Sequence, residues 1–233
     1  MLLKVYLEDR HTAAEGLAFL KGISPKTLKN REYKHLWLLL YWPLYTVAFF
    51  AFEWFLPLSF HSVRIPLDDH IPFCEWFIIP YYWWFALLVG ISVYTALYNK
   101  EVFCRFMYFI MLSYTLALIC YAVYPTQQEL RPDVYPRDNL LTQMVQSLHN
   151  FDSNENVCPS VHVLGAFGSC IAGLQCRRFR SIPWRCLWWV SLITVILSTV
   201  FIKQHSLVDV FVALVICGVL YPITFGRKKP FCT

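Results

Sequence analysis

His205 and Asp209 stand four residues apart in the stretch Lys203-Gln204-His205-Ser206-Leu207-Val208-Asp209, which opens a long apolar run. At that spacing two side chains share one face of a helix. A carboxylate beside an imidazole fixes its tautomer and stabilises the imidazolium, leaving the other ring nitrogen to act as base or nucleophile. The pair also fits a structural hydrogen bond, or part of a metal site completed by a second histidine. That second histidine is His162, in Cys158-Pro159-Ser160-Val161-His162, at the head of another apolar run. Pro159 suits the first turn of a helix, and free N–H groups beside a Ser hydroxyl make an anion site. His162 there can serve as a general acid. A third element is Arg131-Pro132. The Arg fork matches phosphate oxygens, and Lys203 adds a cation two residues before His205. Both cations also fit simple snorkelling at a membrane interface. Two histidines, an Asp, a Ser and two cations together suit phosphoryl transfer, where catalysis is mostly positioning and charge stabilisation.

Composition decides what carries these residues. Of 233 residues, 58% are hydrophobic, 18% aromatic and only 15% charged, against roughly 25% charged in an average soluble domain. The charges are too few and too clustered to coat a soluble fold. This excludes a disordered chain, a secreted disulfide scaffold and almost any soluble enzyme. A span needs about 20 mostly apolar residues, and six segments qualify or come close: 36–57, 77–98, 102–124, 158–176, 186–202 and 207–225. The expected fold is all-α, a polytopic membrane protein of six transmembrane helices. Residues 1–35 form a basic N-terminal segment, 36–225 the membrane domain and 226–233 a short tail.

Orientation follows from the basic residues. With six spans, all of the 20 lysines and arginines except Arg64, Arg131, Arg137 and Lys203 fall on the side of the two termini. Positive residues stay cytoplasmic, so both termini are expected inside. The loops 58–76, 125–157 and 203–206 then face outward, with every chemical residue named above at that face. Within 125–157, Asp138 precedes Leu140, Leu141, Met144, Val145 and Leu148. That is helical spacing behind an N-cap, and it predicts a short extra helix in the outer loop. The net charge of +5 forms no continuous patch, so nucleic acid is not an expected partner. The nine cysteines include no C-x-x-C pair. Cys74 and Cys158 share the outer side and could pair.

At these residues the chain resembles the type 2 phosphatidic acid phosphatase superfamily, the membrane lipid-phosphate phosphatases and phosphotransferases. The likeness covers roughly Tyr124 to Asp209 and the six-span plan. The family's first motif ends in Arg-Pro, matched by Arg131-Pro132. Its second is Pro-Ser-Gly-His, matched by Pro159-Ser160-Val161-His162. Its third ends in His, three residues, Asp, matched by His205 and Asp209. The resemblance implies that His205 attacks phosphorus, that Asp209 orients it and that His162 protonates the leaving oxygen. It implies that Arg131, Ser160 and the Val161 amide hold the phosphoryl oxygens, and that no metal or other cofactor is needed. The implied partners are a phosphorylated lipid and the surrounding lipids of the cell membrane; the oligomeric state stays open. Departures mark a divergent branch. The first motif usually opens with Lys, here Tyr124, and the third with Ser-Arg, here Ser198-Thr199. Val161 replaces the Gly, and Lys203 is the candidate replacement for a missing cation. The expected activity is a lipid-phosphate phosphatase. The alternatives are a phosphotransferase to a lipid alcohol, or a lipid-binding relative without turnover.

Overall fold

The computed structural model describes residues 13–24, 26–55 and 59–227. The first twelve residues of the basic segment and 228–233 of the tail lie outside the described residues. The helices are α1 (Ala13–Lys21), α2 (Tyr41–Phe55, entered through a 3-10 stretch Lys34–Leu40), α3 (Ile78–Tyr98), α4 (Lys100–Val123), α5 (Leu140–Phe151), α6 (Val161–Gln175), α7 (Ile182–Phe201) and α8 (Leu207–Thr224). Among the described residues, the departures from all-helical structure are a two-residue parallel pairing, β1 (His61–Ser62) with β2 (Thr126–Gln127), and an isolated antiparallel bridge between Gln127 and Glu155. The pairing ties the segment after α2 to the one after α4.

Among the described residues, five segments are long and apolar enough to cross a membrane: Lys34–Phe52, Glu75–Tyr98, Lys100–Val123, Ile182–Phe201 and Leu207–Thr224. The chain is therefore a multi-pass membrane protein. Its outward helix faces carry Leu44, Val47, Val89, Ile119, Ile193, Phe211 and Val219, the apolar surface that lipid requires. α6 has 15 residues, fewer than a lipid-facing span needs. It lies against α3, α4, α7 and α8, and only Val161 and Phe167 along it escape full burial. A helix wrapped by protein can be short, since neighbours rather than its own turns meet the backbone at its ends. Small residues allow that wrapping. A Cβ on Gly173 would collide with the Trp188 ring, and one on Gly165 would meet Tyr114 Oη at 2.5 Å and Trp84 Nε1 at 2.8 Å.

Hydrogen bonds define two ends of the bundle. At one, Arg105 Nη1 and Gln175 Nε2 both donate to Phe225 O, at 2.9 and 3.1 Å, and Lys100 Nζ reaches Arg31 O. At the other, Cys74 N donates to Phe201 O and His61 N to Pro125 O. α5 sits at this second end. Its N-cap is Asn139, whose side chain accepts from Thr142 N at 3.0 Å, one residue later than the expected Asp138. Asp138 instead accepts from Gln143 Nε2. Cys74 and Cys158 are both free thiols, so the possible pairing between them is not made.

Candidate active site

The site is assembled from two helix starts. α6 begins behind Ser160, whose hydroxyl accepts from Val163 N as the N-cap. Pro159 therefore lies just before the cap, not in the first turn. Two tyrosines of α4 hold this entry: Tyr121 Oη donates to Pro159 O at 2.7 Å and Tyr114 Oη to Val161 O at 3.1 Å. Among the described residues no hydrogen bond takes up the Val161 or His162 N–H, as expected for the first turn of a helix. Ser160 N donates to Asp209 O at 3.3 Å, joining this start to that of α8.

α8 begins behind Ser206. Asp209 closes a capping box there, its Oδ2 accepting from Ser206 N at 2.9 Å. The same oxygen stands 3.2 Å from His205 Nδ1. His205 thus precedes the helix, and the capping turn, not a shared helix face, brings the pair together. The i, i+4 spacing is right for a reason other than the one the sequence suggests. Asp209 is fully buried and His205 nearly so. With Nδ1–H given to the carboxylate, His205 Nε2 is the free lone pair, and it stands 3.2 Å from His162 Nδ1. His162 is sandwiched by two rings of α3, Tyr81 and Trp84, at centroid distances of 4.6 and 4.5 Å. The aromatic run 81–85 reads from sequence as lipid-facing or core. In the structure it orients His162 and lines the cavity.

That cavity, about 360 Å³, borders Val161, His162, Gln204 and His205. Its walls come from α2 to α5, and its polar rim from residues 152–156. Neither expected cation lines it. The Arg131 guanidinium lies behind the rim: Nη1 donates to His149 O at 2.7 Å, and Nη2 to Asp152 O, Ser153 O and Gln204 Oε1 at 2.8 to 3.2 Å. These carbonyls end α5, where a helix dipole favours a cation. Burial pulls the guanidinium below its ordinary value, opposed by Asp152. Lys203 does not reach the histidines either. It follows α7 in a left-handed conformation, φ 59°, unusual for a residue with a Cβ. Its ammonium donates to Asp68 O at 2.9 Å and Ile71 O at 2.5 Å. Burial lowers its proton affinity, with Asp68 and Asp69 opposing. In this structure Lys203 thus serves as a post under the α7–α8 turn.

Several residues of the site are not evident from sequence. Asp68, which reads as part of a wet loop, is fully buried. Its Oδ1 accepts from Leu207 N at 2.9 Å and its Oδ2 from Ser206 Oγ at 2.8 Å, fixing the α8 start from a loop 138 residues away. Asp152 lines the cavity and accepts from Gln204 Nε2 at 2.5 Å. Burial raises its carboxyl above the usual range, partly offset by His205 and Arg131. His149 lies behind the site, donating from Nε2 to Ile202 O at 2.9 Å and accepting from Tyr135 Oη at 2.8 Å. Burial and then Arg131 lower its pKa to about 4. No spacing signal marks Asp68 or Asp152, because both partnerships are made in three dimensions only. Among the described residues no three His, Cys, Asp or Glu side chains are grouped to hold a metal ion.

The fold and the site define a multi-pass membrane protein with a buried His–His–Asp line at one end of its bundle. The family model of the PAP2 superfamily matches residues 103–229, more than half of the chain, and the chain belongs to that family. Members of this superfamily are generally phosphoric ester hydrolases, and membership points to phosphatase or phosphotransferase activity on phosphorylated substrates. Comparison with curated proteins and with solved structures finds no match.

Proposed function

We propose that the chain is a lipid-phosphate phosphatase working through a phosphohistidine on His205. One observation carries the reading: a buried carboxylate takes one nitrogen of His205, and the other nitrogen faces His162 at the cavity wall. In the first step His205 Nε2 forms a bond to phosphorus as the ester P–O bond breaks, and His162 gives its proton to the departing lipid oxygen. In the second, water attacks phosphorus, the N–P bond breaks, and the water proton passes to His162. For this the phosphoryl group must replace the direct contact between the two rings. Asp209 stabilises the imidazolium that forms on attack. The unpaired first-turn N–H groups of α6, Val161 among them, with the Ser160 hydroxyl nearby, are suited to the phosphoryl oxygens. Arg131 acts from behind, holding the α5 end and Gln204 in place.

We take α6 as the sixth span, which puts both termini inside a cell membrane and the site at its outer face. The distribution of basic residues supports this orientation. The test is phosphate release from a panel of lipid phosphates by purified protein. The reading expects release that resists chelators, is blocked by vanadate and is lost in His205→Ala. Wild-type release by His205→Ala would sink it. A transferase is the second reading, favoured by the aromatic cavity walls, which could seat a lipid alcohol in place of water. Product analysis with and without an added acceptor alcohol separates the two.

A further inference from the structure

The cavity beside the histidines has an unusual charge pattern for a site that is to receive a phosphate. Asp152 and Glu155 both line it, and none of the lining residues is Lys or Arg. The two expected cations donate elsewhere, the Arg131 Nη atoms to carbonyls at the end of α5 and to Gln204, and Lys203 to carbonyls of 68 and 71. Asp152 is held by Gln204 Nε2, and Gln204 is the chain neighbour of His205, so its carboxylate is fixed relative to the nucleophile. The same cavity is lined by aromatic rings from three helices, Tyr45, Tyr81, Tyr82, Trp84, Phe85 and Tyr121. A bare phosphomonoester entering here meets two acidic side chains and no lining Lys or Arg. A phosphate that brings its own cation meets a complementary wall. Carboxylates with aromatic faces are the recognition chemistry of ammonium groups.

Resting on the phosphoryl-transfer reading, we propose that this site selects phospholipids bearing an ammonium group beside the phosphate, with Asp152 and Glu155 as the residues that read the charge. The source of the ammonium is either the lipid backbone, as in a sphingoid-base phosphate, or the headgroup, as in a phosphoethanolamine lipid.

The experiment compares a sphingoid-base phosphate with its N-acetyl derivative, which keeps the phosphate and chain and removes the charge. With purified full-length protein, kcat/KM for the amine should exceed that for the amide by roughly tenfold, the size of one well-placed cation–aromatic and charge contact. Asp152→Asn with Glu155→Gln should bring the ratio close to one by lowering the amine value. A ratio near one in the unsubstituted protein, or a ratio unchanged by the paired substitution, would overturn the proposal. The wild-type comparison stands even where the double variant fails to fold. A phosphoethanolamine lipid, followed by headgroup release, is the second arm and tells headgroup from backbone as the source. Binding of the same amine and amide pair to His205→Ala, followed by tryptophan fluorescence, gives a readout independent of turnover. Preferential amine binding without phosphate release from any lipid would support the selectivity and count against the hydrolase reading alone. Equal binding would reject the selectivity even in an active enzyme.

Discussion

At the scale of single residues, His205, Asp209 and His162 divide the work by what each nitrogen or oxygen touches. His205→Ala should remove turnover. Asp209→Asn keeps the shape but no longer holds the imidazolium, so turnover should fall by roughly 10³- to 10⁴-fold, as in other His–Asp pairs. Asp209 is also the N3 residue of the α8 capping box, so part of any loss will be structural. Thermal stability of the same variant, read beside its kcat, separates the two. His149 tests the neighbourhood. Burial and the Arg131 charge hold its pKa at about 4, down from its ordinary 6.5. Between those values the unfolded chain binds a proton that the folded one refuses. Stability should therefore fall as pH drops from about 6.5 to about 4 and level off outside that window. In His149→Gln the dependence should be flatter, as a series of melting temperatures in detergent would show.

The elements matter because the proposed catalytic pair is made by a helix start. Ser206 and Asp209 build the start of α8, and Asp68 clamps it from a distant loop. Asp68→Ala takes the acceptor from Ile65 N and Leu207 N, at a cost of about 1–3 kcal/mol for each donor left unpaired, while Ser206 Oγ keeps Val63 O. It should lower kcat while leaving KM near its wild-type value, because Asp68 shapes the turn and lines no part of the cavity. Equal losses in binding would argue against that role. Lys203→Met should likewise lower the melting temperature, since it removes two hydrogen bonds from a left-handed turn, while KM for the phosphate stays unchanged. A large rise in KM would instead mark Lys203 as a phosphate ligand. Packing makes a parallel case on α6. Gly173→Ala forces a methyl into Trp188 and should destabilise the α6–α7 contact by about 1–3 kcal/mol, visible as a lower melting temperature. Much of this level was legible in the sequence. Apolar run lengths locate the long helices, and the spacing of Leu140 to Leu148 locates α5. The boundaries moved where local chemistry chose differently, as when Asn139 capped in place of Asp138 and Ser181 opened α7 before Cys186.

Seen as a whole, the molecule keeps its candidate site at one end of the bundle and Arg31, Lys100 and Arg105 at the other. The three short motifs, Arg131-Pro132, Pro159 to His162 and His205 to Asp209, were legible because each keeps a fixed local spacing. What no spacing encodes is the environment: which carbonyls absorb Arg131, which loop buries Asp68, and which rings hold His162. The proposed orientation is open to a direct check. A reporter active only outside the cytosol should be silent when fused after 226 and active when inserted in 125–157. The most direct test of the central claim is to trap the intermediate. Purified protein mixed briefly with a lipid phosphate and quenched in base should carry an acid-labile phosphoryl group on the peptide containing His205, absent from His205→Ala. Steady lipid turnover with no label on that peptide, or with the label on another residue, would contradict the account.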